Sequence, residues 1–334
     1  MNVPGAVHPS DIAVVVPVGG RAPAWERSAE SLRRLDPPPG EIVVVLDGPD
    51  EALAARAASL GATLVVLEER GGPARARNRG ARATTAAVLL FVDADIEVPS
   101  DLVARVAAVF SGQPGTAAAF GSYDDAPGDD GLVSQYRNLL HHFVHQHASE
   151  RASTFWAGCG AIRRDAFEAS GAFDERYTYP SIEDIELGAR LVRGGHSVRL
   201  VKTLAVKHLK RWRLADVLST DLWRRAVPWT ELMLREGRLV NDLNTRVRDR
   251  VSVVLAFVPL LALPAAWAWP WLLAIVPAAA GAIVAVNAAL FRLFLRRRGP
   301  GFAAATVPLY WLYLLVCGAG FAIGLVRHHL GARA

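Results

Sequence analysis

Residues 88–95 read VLLFVDAD, five unbroken apolar residues followed at once by two carboxylates, Asp93 and Asp95. So short an all-apolar run predicts a strand buried on both faces, as in a parallel sheet covered by helices. Working outward, 12–18 (IAVVVPV), 42–46 and 62–67 read as further strands, and 25–35, 50–59 and 73–84 carry helical spacing between them. Pro37, Pro38, Pro39 and Gly40 stop the first helix. Four strands joined by three helical crossovers predict an open α/β sheet, whose ligands bind beyond the carboxyl ends of the strands. Pro17, Val18, Asp47, Asp93 and Asp95 stand at those ends.

The chain has 334 residues and a net charge of +5, placed unevenly. Residues 1–200 hold 19 basic and 26 acidic side chains, whereas 201–334 hold 18 and 6. A duplex-binding face needs clustered positive charge, so the acidic N-terminal part argues against a nucleic-acid partner. With 52% hydrophobic residues and two cysteines, a disordered or disulfide-stapled chain is excluded. Cys159 and Cys317 fall in different parts of the chain, which fits a reducing compartment.

The basic part is also the apolar part. No Asp, Glu, Lys or Arg occurs from 252 to 291 or from 299 to 326. A bilayer core of roughly 30 Å takes about 20 helical residues. Three spans are expected, near 251–269, 271–291 and 303–326, with a buried or re-entrant helix as the alternative for one of them. Trp267, Trp269 and Trp271 mark the first turn. Arg246, Arg248 and Arg250 before the first span, and Arg292 and Arg296–Arg298 after the second, place the N-terminal region in the cytoplasm by the positive-inside rule. Residues 213–250 mix Leu214, Val217, Leu222, Trp223 and Trp229 with Arg224, Arg225, Arg235 and Arg238. That pattern suits helices lying on an anionic membrane surface, or a helix packed on the preceding domain. The expected organisation is a catalytic domain over 1–212, interface helices over 213–250 and a transmembrane region over 251–334, multi-pass in the inner cell membrane with the catalytic domain cytoplasmic. Residues 1–11 lack the apolar core of a signal peptide.

Two carboxylates just after a buried strand favour a cation partner, and oxygen ligands shared with substrate phosphates suit Mg²⁺ or Mn²⁺. A solvated strand-end loop explains the pair equally well on its own. Residues 121–131, acidic and rich in Gly and Pro, read as a mobile loop. His141 and His145 share a helical face at zinc-compatible spacing but lack a third ligand, so 135–147 reads as a solvated or acceptor-facing helix.

Taken together, VVVPVGG (14–20), VVVLDG (43–48), GPARARNRGA (72–81), FVDADIEVP (91–99), GCGAIRRDAFEASGAFDE (158–175) and SIEDIELGARL (181–191) resemble the family 2 glycosyltransferases of the GT-A fold. The resemblance covers roughly 11–215 and implies a Rossmann-like nucleotide-diphospho-sugar transferase domain, inverting and dependent on a divalent metal. It implies Pro17, Val18 and Asp47 for the nucleotide base and ribose, with Leu46 where the family often has another acid. It implies Arg77 and Asn78 for the donor phosphate or base, Asp95 for direct metal ligation, and Asp93 for ribose or metal contact. Gly158 and Gly160 would let substrate approach the backbone, and Glu183-Asp184 would open a helix with Asp184 as the general base. VKHLKRW (206–212) resembles the Gln-x-x-Arg-Trp motif of lipid and polysaccharide synthases, with His208 in place of Gln. His208 either completes the metal site or takes over the Gln role; Arg211 would neutralise the diphosphate and Trp212 wall the acceptor site.

The expected function is transfer of a sugar from a nucleotide-diphospho-sugar, UDP being favoured by the resemblance, to a lipid or lipid-linked acceptor hydroxyl at the cytoplasmic membrane face. Three spans are too few to enclose a polymer channel in one chain, which places a processive polysaccharide synthase second. A non-catalytic membrane-tethered nucleotide-sugar sensor fits poorly with the presence of Asp93, Asp95 and Asp184.

Overall fold

The computed structural model describes residues 6–20, 23–237 and 242–331; Arg238 of the basic segment lies outside them. The chain divides into two compact units, Met1–Asp130 with Ala148–Arg211, and Gly131–His147 with Trp212–Ala334.

In the first unit β1 (Ile12–Gly19), β2 (Glu41–Asp47), β3 (Thr63–Val66) and β4 (Val88–Val92) pair in parallel in the order 3-2-1-4. Helices α1 (Trp25–Arg33), α2 (Glu51–Ala58) and α3 (Gly72–Arg82) make the crossovers. Ile12–Val16, Val43–Leu46 and Val88–Val92 are fully buried, which is why these strands read as continuous apolar runs. The sheet then continues through β5 (Ile96–Glu97), α4 (Leu102–Gly112), β6 (Thr116–Tyr123), β7 (Cys159–Arg163) and β8 (Ser197–His208), reaching eight strands in the order 3-2-1-4-7-6-8-5.

Two antiparallel pairings position the site. β7 runs against β4 with Val92 opposite Cys159, so the start of β7 meets the carboxyl end of β4. β5 runs against the end of β8 with Ile96 opposite His208. The 121–131 segment, expected to be mobile, is instead laced to β8: Asp124 and Gly128 N–H donate to the Val206 and His208 carbonyls, both at 2.8 Å, and Lys207 pairs with Asp124 at 3.0 Å.

The second unit gathers α5 (Leu132–His147), which interrupts the first unit in sequence, with helices beyond residue 212. α6 (Arg164–Ala169) and α7 (Glu183–Arg193) belong to the first unit; α8 (Leu214–Ser219), a π-helical segment (Thr220–Ala226), α9 (Val227–Arg235), α10 (Val247–Ala262), α11 (Ile275–Val286) and α12 (Ala288–His329) belong to the second. Tyr136, Leu139, Leu140 and Phe143 of α5 form a core with Ala256, Ile283, Leu290, Phe291, Phe294, Tyr310 and Leu314. The expectation of a solvated α5 is therefore corrected: its apolar face is interior, and His145 is buried with it. No group of three His, Cys, Asp or Glu suited to a metal occurs among the described residues.

By length and composition, Val247–Trp267 and Ala288–His329 are able to cross a membrane; the apolar segment Pro270–Val286 is shorter. α12 breaks at Gly299, whose φ of 83° no β-carbon-bearing residue adopts readily, just before Pro300. Small residues bring the π segment and α9 close to α12. A β-carbon at Gly320 would lie 2.4 Å from Ala226 Cβ, one at Gly324 would lie 2.7 Å from Thr230 Cβ, and Arg327 pairs with Glu231 at 3.0 Å.

Candidate active site

β4 delivers the chain to the Asp93-Ala94-Asp95 turn. Asp93 N–H donates to the Gly158 carbonyl (3.0 Å), and the Asp95 carbonyl accepts from Leu209 N–H (2.8 Å), so the turn is held both by the loop before β7 and by the end of β8. Each carboxyl is about a third exposed. Burial, with the charges of Asp95 and Glu183, raises the Asp93 carboxyl against the pull of Arg77. Burial also opposes the Asp95 carboxylate, but the facing imidazole of His208 and the charge of Lys210 outweigh it and hold the group below the usual aspartate range.

Helix α7 brings the second acidic pair. Glu183 is buried, its Oε1 accepting from Arg77 (2.9 Å) and its Oε2 from Ser181 N–H (2.8 Å), so both oxygens are engaged inside the protein. Asp184 accepts from Ala157 N–H (3.1 Å) and Ile185 N–H (2.8 Å). Burial and the neighbouring Glu183 push its carboxyl up to about 7, against the opposing charge of Arg77 and these two backbone bonds.

One guanidinium links the two acidic pairs. Arg77, 5% exposed, donates to Asp93 Oδ1 (2.7 Å) and Glu183 Oε1 (2.9 Å) and lies 5.4 Å from the Phe173 ring centroid. Burial opposes its charge, but Asp93, Glu183 and Asp184 more than compensate and raise its pKa. Asn78 donates to the Phe173 carbonyl and Glu175 (2.9 Å each) and accepts from Phe173 N–H (3.0 Å). Both side chains point from α3 into the protein and are engaged in these internal bonds.

Gly158, just before β7, and Gly160, within it, pack closely against Trp156. A β-carbon at Gly158 would lie 2.4 Å from the Trp156 ring, and one at Gly160 would lie 2.3 Å from the Trp156 carbonyl oxygen. Protein atoms, rather than open space for substrate, occupy those positions. Asp47 accepts from Gly71 and Gly72 N–H (2.7 and 3.1 Å) and so fastens the start of α3; Pro17 and Val18 lie beside Val45 and Leu46, with Val18 buried.

At the other edge His208 is buried, stacks on Tyr123 at 4.3 Å between centroids, and puts Nε2 3.7 Å from Asp95 Oδ2; Tyr123 in turn meets Trp156 edge-on at 4.9 Å. An ionised carboxylate facing an imidazole is a donor set that fits a divalent cation whose remaining ligands come from phosphate oxygens and water. Arg211 is 84% exposed, 4.0 Å from Asp129. In the second unit Trp212 N–H donates to Ser134 Oγ (2.8 Å). The aromatic pair Tyr123 and Trp156 escaped the sequence reading, although SYDD and STFWAGCG announce aromatics just before the acidic and glycine segments.

Residues 13–171 match the sequence model of Glycosyl transferase family 2. No curated protein matches the chain. Among solved structures, mannosyltransferase PcManGT from Pyrobaculum calidifontis, in complex with GDP-Man and Mn²⁺, aligns over 99% of this chain and 91% of its own at 18% identity and a TM-score of 0.59. S. aureus TarS 1–349 aligns over 96% of this chain and 91% of its own at 15% identity and a TM-score of 0.49. Residues 13–171 carry a family 2 glycosyltransferase domain, and the chain is a glycosyltransferase of the GT-A fold.

Proposed function

We propose that the chain transfers a sugar, with inversion, from a nucleotide-diphospho-sugar to the hydroxyl of a lipid or lipid-linked acceptor at the cytoplasmic face of the inner cell membrane. The observation that carries this reading is Asp184 at the head of α7, its carboxyl at about 7, with the same helix tied through Glu183 and Arg77 to the Asp93–Asp95 turn. A base with that pKa is half ionised near neutrality and suited to take a hydroxyl proton as its oxygen attacks the anomeric carbon. The bond to the diphosphate breaks as the new glycosidic bond forms; the proton goes to Asp184 and the electron pair leaves with the diphosphate.

Asp95 and His208 would hold the divalent cation, Mg²⁺ or Mn²⁺, which when bound supplies positive charge beside the diphosphate. Arg211, exposed, adds a protein cation for the same group, and Trp212 faces the acceptor. Pro17, Val18 and the Asp47 loop receive the nucleotide base and ribose. Glu183, Arg77 and Asn78 act by holding this framework.

The membrane part of the proposal rests on the apolar surface of the second unit, where Val254, Leu261 and Trp267 are 65%, 81% and 94% exposed, bordered by arginines at 246–250 and 296–298. The test is nucleoside diphosphate release by detergent-purified protein with Mn²⁺ or Mg²⁺ from a panel of UDP-, GDP- and dTDP-sugars, with and without membrane lipid extract. Release from one donor that rises with the extract supports the proposal; a ladder of long sugar chains would replace the lipid acceptor with processive synthesis. Nucleotide binding without release from any donor would overturn it.

A further inference from the structure

We infer that the buried Arg137–Asp221 ion pair is the positioning brace of Trp212 and thereby sets acceptor affinity. The inference rests on the reading of Trp212 as an acceptor-facing residue. Arg137 of α5 meets Asp221 through both arms of its guanidinium, Nη1 to Oδ2 at 3.0 Å and Nη2 to Oδ1 at 2.5 Å, with side chains only 9% and 5% exposed. The same guanidinium lies 6.0 Å from the Trp212 ring centroid. One turn earlier on α5, buried Ser134 accepts the Trp212 backbone N–H at 2.8 Å. Residues i and i+3 of a helix share a face, so a single face of α5 grips both backbone and ring of Trp212.

A pair this deeply buried is not explained by stability, since apolar residues of similar size generally serve a core as well or better. What it supplies is geometry. Bidentate pairing fixes the plane of the guanidinium, which a lone arginine tail would leave free to rotate. Asp221 is itself held in the Thr220–Ala226 π segment, a rare helix type that recurs at functional positions, and Ala226 at its end is clamped against Gly320 of α12. The chain from α12 to Asp221 to Arg137 to Trp212 is continuous.

The test uses full-length protein in detergent and reads two quantities in nucleoside diphosphate release: the half-saturating concentration of membrane lipid extract and the KM of the donor. Asp221→Asn leaves Arg137 buried without its counter-charge and is expected to destabilise, so the informative variant is Arg137→Met with Asp221→Leu, which removes both charges together. That double variant and Trp212→Phe are each expected to raise the half-saturating lipid concentration about tenfold, and their combination to raise it no further, because residues acting through one another are not additive. Donor KM should stay within about twofold in all three. Wild-type lipid dependence in the double variant, with only its melting temperature changed, would reduce the pair to a structural role and overturn the inference. So would multiplying effects in the triple variant. No effect of Trp212→Phe would remove the acceptor role of Trp212 and the brace with it, while donor turnover would leave the transferase reading standing.

Discussion

A carboxyl at about 7 behaves unlike an ordinary aspartate, and Asp184 carries two opposite consequences for pH. As a base it works only when ionised, so turnover should rise as pH climbs through about 7, a limb visible in initial rates of diphosphate release between pH 5 and 9. Asp184→Asn should abolish transfer and that limb while leaving nucleotide binding nearly intact; unchanged turnover would refute the assignment. For stability the sign is reversed. The folded pKa lies above the unfolded value of about 4, so the folded state prefers the protonated group and loses stability as pH rises from about 4 through 7. The Asn variant should therefore melt above the wild type at pH 8 and level with it near the acid end of that window. Arg77 is the complementary case. Arg77→Leu leaves Glu183 buried opposite Asp93 with no cation between them, and a loss of about 3–5 kcal/mol is expected in denaturant unfolding.

Among the elements, α7 owes its position to a missing side chain. A β-carbon at Gly188 would lie 2.1 Å from Phe155 N and 2.4 Å from Thr154 C, backbone atoms that cannot swing aside. Gly188→Ala is expected to cost about 1–3 kcal/mol and to lower turnover by displacing Asp184, measured by melting and by initial rate. The four parallel strands were legible because each is an apolar run bounded by turn residues. β6, TAAAFGSY, was not, since alanine has little preference for strands, and no local pattern announces that β7 and β5 run antiparallel. The candidate site was legible in the same uneven way. Asp93, Asp95, Asp184 and His208 stand at strand and helix ends, where position alone carries meaning. For Arg77, Asn78, Gly158 and Gly160 the sequence carries the residue but not its direction: the inward bonds of α3 and the close packing of Trp156 come from the tertiary structure.

For the whole molecule, the apolar surface of the second unit predicts that the full chain stays in the membrane fraction through an alkaline carbonate wash; release into the supernatant would contradict a spanning segment. The interruption of the catalytic sequence by α5 has a further consequence, for synthesis. The helix leaves the ribosome in mid-domain, yet the core that covers Tyr136, Leu139, Leu140 and Phe143 is built by α10, α11 and α12, which begin at Val247. More than a hundred residues must be translated before that face is sheltered. A chain stopped at 212 would therefore keep every residue of the α/β unit and still carry an uncovered greasy helix, so that deleting the apolar tail to obtain a soluble catalyst should yield aggregate, unless the four α5 positions are made polar at the same time.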